Sequence, residues 1–181
     1  MNFLINGKQI RLLDGYFYCD GDFLGLLLND ENFLLEVKEL FSGKTFLIDS
    51  LTRLEFLRDV YLPKQRKIKE EFLDSIFDEA IDHQEIYRQI KDNALILSRL
   101  YAHKGRNGAS TVDLMLAARI MLGGYPSFLI TGNRKHFPSI IFDTMSVINY
   151  EQRDGEMRIF SVLKFSKDKF QKALDDLKQI K

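Results

Sequence analysis

Apolar positions along the chain switch between helical and strand spacing. Residues 31–41 place Phe33, Leu34, Val37, Leu40 and Phe41 on one helical stripe, ended by Ser42-Gly43. Ile68, Phe72, Ile76 and Phe77 form another stripe with charges opposite, and Ile90, Ala94, Leu97 and Tyr101 do the same within 84–101. Residues 110–122 read as a helix closed by Gly123-Gly124. Phe170, Leu174 and Leu177 share one face of a closing helix. Between these lie short apolar runs at 16–19, 46–48, 128–130, 146–149 and 158–165, which read as strands. Gly21 turns the first strand into a short helix reaching Leu28, and Asp49-Ser50 cap a helix running to about Tyr61. At the N-terminus, Asn6-Gly7 between apolar runs predicts a small hairpin within residues 1–15.

Short strands separated by helices imply an α/β fold, a mostly parallel sheet covered by helices on both faces. Only Pro63, Pro126 and Pro138 interrupt the chain, with no linker-like stretch and no repeat, so residues 1–181 read as a single domain. In such folds, polar residues at the carboxyl ends of strands gather at one edge of the sheet.

Composition narrows the classes. With 45% hydrophobic and 29% charged residues, the chain is neither disordered nor low in complexity. Its 26 basic residues balance 26 acidic ones, which argues against a broad electrostatic surface for nucleic acid but not against a local one. Cys19 is the lone cysteine, so an intramolecular disulfide and a cysteine-rich zinc site are excluded. No apolar run approaches the roughly 20 residues of a membrane span. The start MNFLINGKQ lacks the pattern of a signal peptide, so a cytoplasmic protein without membrane contact is expected.

The edge rule selects few residues. Asp20 follows the first interior strand, and Asn133 follows the third. Asp113 lies in the first turn of the helix at 110–122, and Glu55 about a turn and a half into the helix after the second strand. Each has a plain alternative. Asp113 completes a capping-box pattern with Ser110. Asp20 before Gly21 suits a turn. Glu55 can pair with Arg58 or Arg53. Asn133 suits a cap. Taken together, uncompensated carboxylates call for a hard cation, Mg²⁺ or Mn²⁺.

The combined order resembles the PIN-domain family, particularly ribonuclease toxins of VapC type. Four stretches carry the likeness: YCDGDFL at 18–24, IDSLTRLEFL at 48–57, STVDLMLAA at 110–118 and LITGNRKHF at 129–137. The intervals from Asp20 to Glu55 to Asp113 to Asn133 are 35, 58 and 20 residues, in the family's order and approximate spacing. Gly21 and Asp22 stand where the family has Thr and Asn, so Asp22 is either an extra ligand or a helix cap. Asn133 replaces the fourth acid. Asp49 also follows a strand, but is read as a helix cap.

The resemblance implies a PIN-like three-layer α/β/α sandwich with a core of about 16–150. An N-terminal hairpin at 1–15 and a strand-plus-helix at 151–181 would be extensions. It implies metal binding by Asp20, Asp113 and Glu55, with Glu55 acting through water or orienting hydroxide. Thr131 and Asn133 would position a water or the scissile phosphate. The activity implied is Mg²⁺- or Mn²⁺-dependent cleavage of single-stranded RNA, as the toxin of a type II toxin–antitoxin pair. It further implies a homodimer and a small antitoxin partner, for which 31–41 and 50–79 offer apolar surface.

Arg134, Lys135 and His136 beside the proposed site are candidate phosphate contacts, joined by Lys104 and Arg106 in the glycine-containing loop. The basic run at 64–69 reads as a solvated helix face. His83, His103 and His136 are read as non-ligands, and Cys19 as a small buried residue. Two other readings compete. One is a PIN-like protein-binding module without catalysis, suggested by Asn133, Gly21 and the extensions. The other is a doubly wound domain for a small phosphate ligand, opposed by the absence of both G-x-G-x-x-G and a P-loop.

Overall fold

The computed structural model describes residues 3–5, 7–105, 108–122 and 124–179. These fold as an α/β protein with helices on both faces of a mixed sheet. The strands are β1 (Phe3–Ile5), β2 (Tyr16–Cys19), β3 (Thr45–Ile48), β4 (Asp78–Glu79), β5 (Ser127–Thr131), β6 (Phe142–Glu151) and β7 (Met157–Phe165). The helices are α1 (Gly7–Leu12), α2 (Gly21–Asn29), α3 (Glu31–Leu40), α4 (Ser50–Arg58), α5 (Pro63–Ile76), α6 (Gln84–His103), α7 (Thr111–Ile120) and α8 (Lys167–Lys178).

The sheet order is β1-β6-β7-β5-β2-β3-β4. β5, β2, β3 and β4 pair in parallel, whereas β7 runs antiparallel to both β5 and β6, and β1 antiparallel to β6. Alternation along β2 sets the two sides. Phe17 and Cys19 face a core built with α1–α5 (Ile10, Phe23, Phe33, Phe56, Leu73), and Tyr18 faces the core of α6, α7 and α8. Aromatic rings fill the first core, with Phe17 stacked on Phe128 at 5.1 Å and edge-on to Phe41 at 5.1 Å.

Two regions depart from the sequence-based expectation. Among the described residues, 3–5 and 7–15 do not pair as a hairpin. β1 pairs with β6, Phe3 opposite Tyr150, and residues 7–12 are helical, while Asn6 lies outside the described residues. The helix wins because Ile10 becomes fully buried in the core. Second, residues 157–165 are no peripheral addition. β7 lies between β5 and β6, and its run from Phe160 to Leu163 is buried, as suits an interior strand. β6 is likewise longer than the segment 146–149.

Entry into β2 depends on Gly15, at φ +155°. A Cβ there would stand 2.3 Å from the Pro126 carbonyl oxygen, which accepts the Tyr16 amide at 3.0 Å. That close approach joins β2 to β5, the two strands that deliver the candidate site.

Candidate active site

β2 and β5 end side by side. Cys19 is in register with Ile130, and the Asp20 amide continues the ladder by donating to Ile130 O at 3.1 Å. The chain then leaves the sheet into α2, with Asp20 as N-cap. Its Oδ1 accepts the Phe23 amide at 3.0 Å, and its Oδ2 accepts the Thr131 hydroxyl. Asp20 is therefore a cap, as its plain reading holds, and also a buried carboxylate at the strand end. Burial pushes its carboxyl up to about 6, with Asp22 and Asp113 adding to the rise and the Thr131 and Phe23 hydrogen bonds opposing it.

From Thr131 a chain of polar contacts crosses to α7. Thr131 Oγ1 accepts the Asn133 amide at 2.9 Å. Residues 133–136 form a turn closed by His136 N donating to Asn133 O at 3.1 Å. The turn brings His136 Nδ1 to 3.0 Å from Asn133 Nδ2 and 2.8 Å from Asp113 Oδ2. Protonated, that ring nitrogen donates to Asp113; unprotonated, it accepts from Asn133. Asp113 is also one half of a complete capping box. Its Oδ2 accepts the Ser110 amide at 2.8 Å, and Ser110 Oγ accepts the Asp113 amide at 3.1 Å. The cap fixes the carboxylate at the helix start, where it meets the β5 turn.

Glu55 belongs to the same electrostatic neighbourhood. Burial raises its carboxyl, Asp113 raises it further, and Arg58, 4.0 Å away, pulls it down; Asp22 and Asp49 add smaller upward pushes. Thus Asp20, Asp22, Glu55 and Asp113 repel one another across one sheet edge. Among the described residues no three His, Cys, Asp or Glu side chains converge as a ready metal cage.

The basic candidates separate. Arg134 donates to Phe137 O at 3.1 Å and braces its own turn, while Lys135 is exposed. Lys104 pairs with Asp176 on α8 at 3.3 Å, and Arg106 lies outside the described residues. Gly108 does approach the site, since a Cβ there would lie 3.7 Å from His136 Nε2. In the run 64–69, Arg66 pairs with Glu70 at 2.9 Å, Lys67 with Glu71 at 3.6 Å, and Lys69 donates to Phe56 O at 2.7 Å. That run is a helix face neutralised by its own neighbours.

Asp49 caps α4 through the Leu51 and Thr52 amides, both at 3.0 Å, and accepts the Thr52 hydroxyl at 2.8 Å. Cys19 is buried, which pushes its thiol up and keeps it from serving as a nucleophile. His136 was expected beside the site as a phosphate contact; its place against Asp113 and Asn133 was not, because Asp113 lies on another element. Sequence reasoning also passed over Arg119, which is 8% exposed and forms a forked pair with Asp82, Nη1 to Oδ1 at 2.9 Å. No match to this chain was found among family models, curated proteins or solved structures.

Proposed function

We propose that the protein is a divalent-cation-dependent endoribonuclease with a PIN-like fold, cutting single-stranded RNA. The observation that carries this reading is the continuous contact chain Asp20–Thr131–Asn133–His136–Asp113 at the strand ends, flanked by the charges of Glu55 and Asp22. Arg58 offsets part of the charge on the side of Glu55, and a bound cation would offset the rest.

The donor set suits Mg²⁺ or Mn²⁺. These ions take oxygen ligands, and Mg²⁺ commonly binds through one or two carboxylates plus water and substrate phosphate rather than in an all-protein cage. Asp20 and Asp113 are the residues to hold it, with Glu55 acting through water. When bound, the ion would activate water and offset charge on the phosphate. Thr131 and Asn133 then have defined work. The Thr131 hydroxyl holds Asp20 in place, and Asn133 offers its carboxamide toward a phosphate or water. His136 positions Asp113. Lys135 is the exposed cation available to a phosphate, whereas Arg134 keeps the turn in shape.

The toxin reading adds a partner. Leu35 (60% exposed), Leu54 (61%) and Tyr61 (88%) leave apolar surface on α3, α4 and the following turn, suited to an antitoxin segment or a second copy of the chain. The rival reading, a PIN-like binding module, draws on the absence of a three-donor cage among the described residues. Incubating purified protein with a mixed single-stranded RNA pool in Mg²⁺, Mn²⁺ or EDTA separates the two. The nuclease reading expects cleavage that EDTA stops and Asp113→Asn abolishes. Cleavage that survives Asp113→Asn, or none with either ion, would overturn it.

A further inference from the structure

Next to the acidic network is a cavity of about 650 Å³. One side is the face of α2 that carries Gly21 and Gly25; the other is the first half of β7, from Met157 to Phe160. Asp22 and Gly132, the near neighbours of Asp20 and Thr131 in sequence, line it too, so cavity and network share a boundary. The wall exists because β7 outruns β5. The β5 pairing ends at Thr131 opposite Ser161, while residues 157–160 continue alongside β6 past the ends of the parallel strands.

The cavity combines bare backbone, apolar surface and a few polar groups. Gly25 sits inside a helix, where glycine is unfavourable, and a Cβ built on it meets nothing within 4 Å. Packing therefore does not demand glycine there; the bare backbone leaves room for a bound group to approach. Across from it, Met157 is 50% and Ile159 58% exposed, large apolar side chains on an open wall. Asn29, Gln152 and Arg158 supply the polar lining, with Asn29 Nδ2 already donating to Gly25 O at 2.7 Å. Arg158 is already engaged, its Nε donating to Gln152 Oε1 at 2.8 Å and its Nη2 to Glu156 Oε2 at 3.2 Å. A phosphate would find a single, neutralised cation here, together with the carboxylate of Asp22. A flat, uncharged ring with hydrogen-bonding edges fits better, its faces against Met157 and Ile159 and its edge toward the amides. The volume lies within the range of small-ligand sites.

We propose that this cavity receives one unpaired nucleobase of the RNA strand, adjacent to the scissile phosphate, and sets the base preference of cleavage. The inference rests on the nuclease reading above and adds its specificity site.

Two substitutions in the full chain test it: Gly25→Phe fills the cavity, and Met157→Glu places charge on its exposed wall. Both are checked for a thermal midpoint near that of the parent. One readout is the base bias at cut sites in a randomised RNA pool with Mn²⁺. The other is the affinity of the Asp113→Asn protein, with and without each change, for labelled hexamers of A, C, G or U. The expected result is a bias in the parent that flattens in both variants, with affinity for the preferred hexamer weakened roughly tenfold. Cleavage with unchanged bias in both folded variants would remove the cavity's role and leave the nuclease standing. If the parent cuts no RNA yet binds a hexamer that Gly25→Phe releases, the nuclease reading falls and the base site stands. A parent that neither cuts nor binds overturns both.

Discussion

Replacing Asp20 by Asn should make the folded protein more stable at alkaline pH while destroying its activity. Asp20 is only 7% exposed, and burial, reinforced by Asp22 and Asp113, lifts its carboxyl from the ordinary 3.8 to about 6. A carboxyl raised in this way holds its proton more tightly in the folded chain than in the unfolded one. Its contribution to stability is lowest above 6, grows as the pH falls through 6, and levels off below 3.8, where the unfolded chain also protonates. The difference amounts to about 3 kcal/mol, at ~1.4 kcal/mol per tenfold change in proton affinity. Asparagine never carries that charge. Its oxygen can still accept the Phe23 amide, but the Thr131 hydroxyl loses a charged acceptor, at a cost of about 1 kcal/mol. The net gain is about 2 kcal/mol near pH 8, shrinking to nothing or reversing near pH 4. For a chain of this size that is a rise in Tm of roughly 5 °C at the higher pH. Urea unfolding of both proteins at the two pH values, followed by circular dichroism, measures it. A variant no more stable than the parent at alkaline pH, or stabilised equally at both, would refute the claim that ionised Asp20 is held at a cost for the sake of the site.

Three further substitutions distinguish chemistry from scaffold. His136→Ala should lower RNA cleavage by about tenfold, chiefly in kcat, with Tm little changed, because it frees Asp113 from its partner; unaltered kinetics would place His136 outside the site. Asp49→Ala removes an N-cap and the Thr52 hydroxyl contact, and should cost about 2 kcal/mol in chemical denaturation while the folded protein still cleaves. Loss of cleavage at unchanged stability would instead make Asp49 the first acid of the site. Gly15→Ala forces a methyl against the Pro126 carbonyl and should cost about 3 kcal/mol, read from the urea midpoint; a variant as stable as the parent would mean that the β2–β5 approach yields easily.

What the sequence disclosed and what it hid divide along range of interaction. The helices at 31–40, 84–103 and 111–120 were legible because their apolar stripes and caps are local, and both arms of the Ser110–Asp113 box formed as the spacing predicts. The interior strands β2, β3 and β5 were legible for the same reason, and the edge rule then led to Asp20 and Asn133, whereas Thr131 entered through the resemblance alone. The N-terminal segment was misread because Asn6-Gly7 is a local signal for a turn, whereas β1 finds its partner at residues 148–150, far along the chain. Similarly, nothing near residues 157–165 announces that they slot between β5 and β6; only the buried run Phe160–Leu163 hints at an interior place. The His136–Asp113 contact and the Asp82–Arg119 pair escaped notice because both join residues far apart in the chain and exist only after the helices have docked on the sheet. Asp113 was ambiguous in the sequence and serves two structural contacts at once, capping α7 and meeting the β5 turn.

Whether the acidic edge takes a hard cation can be decided without knowing which RNA to offer. Calorimetric titration of Mn²⁺ into the protein, and into an Asp20→Asn/Asp113→Asn double variant, asks the question directly. Saturable binding to the parent that disappears in the folded double variant is the predicted result. No saturable heat with the parent, or equal binding by both proteins, would contradict a metal-dependent site at Asp20 and Asp113.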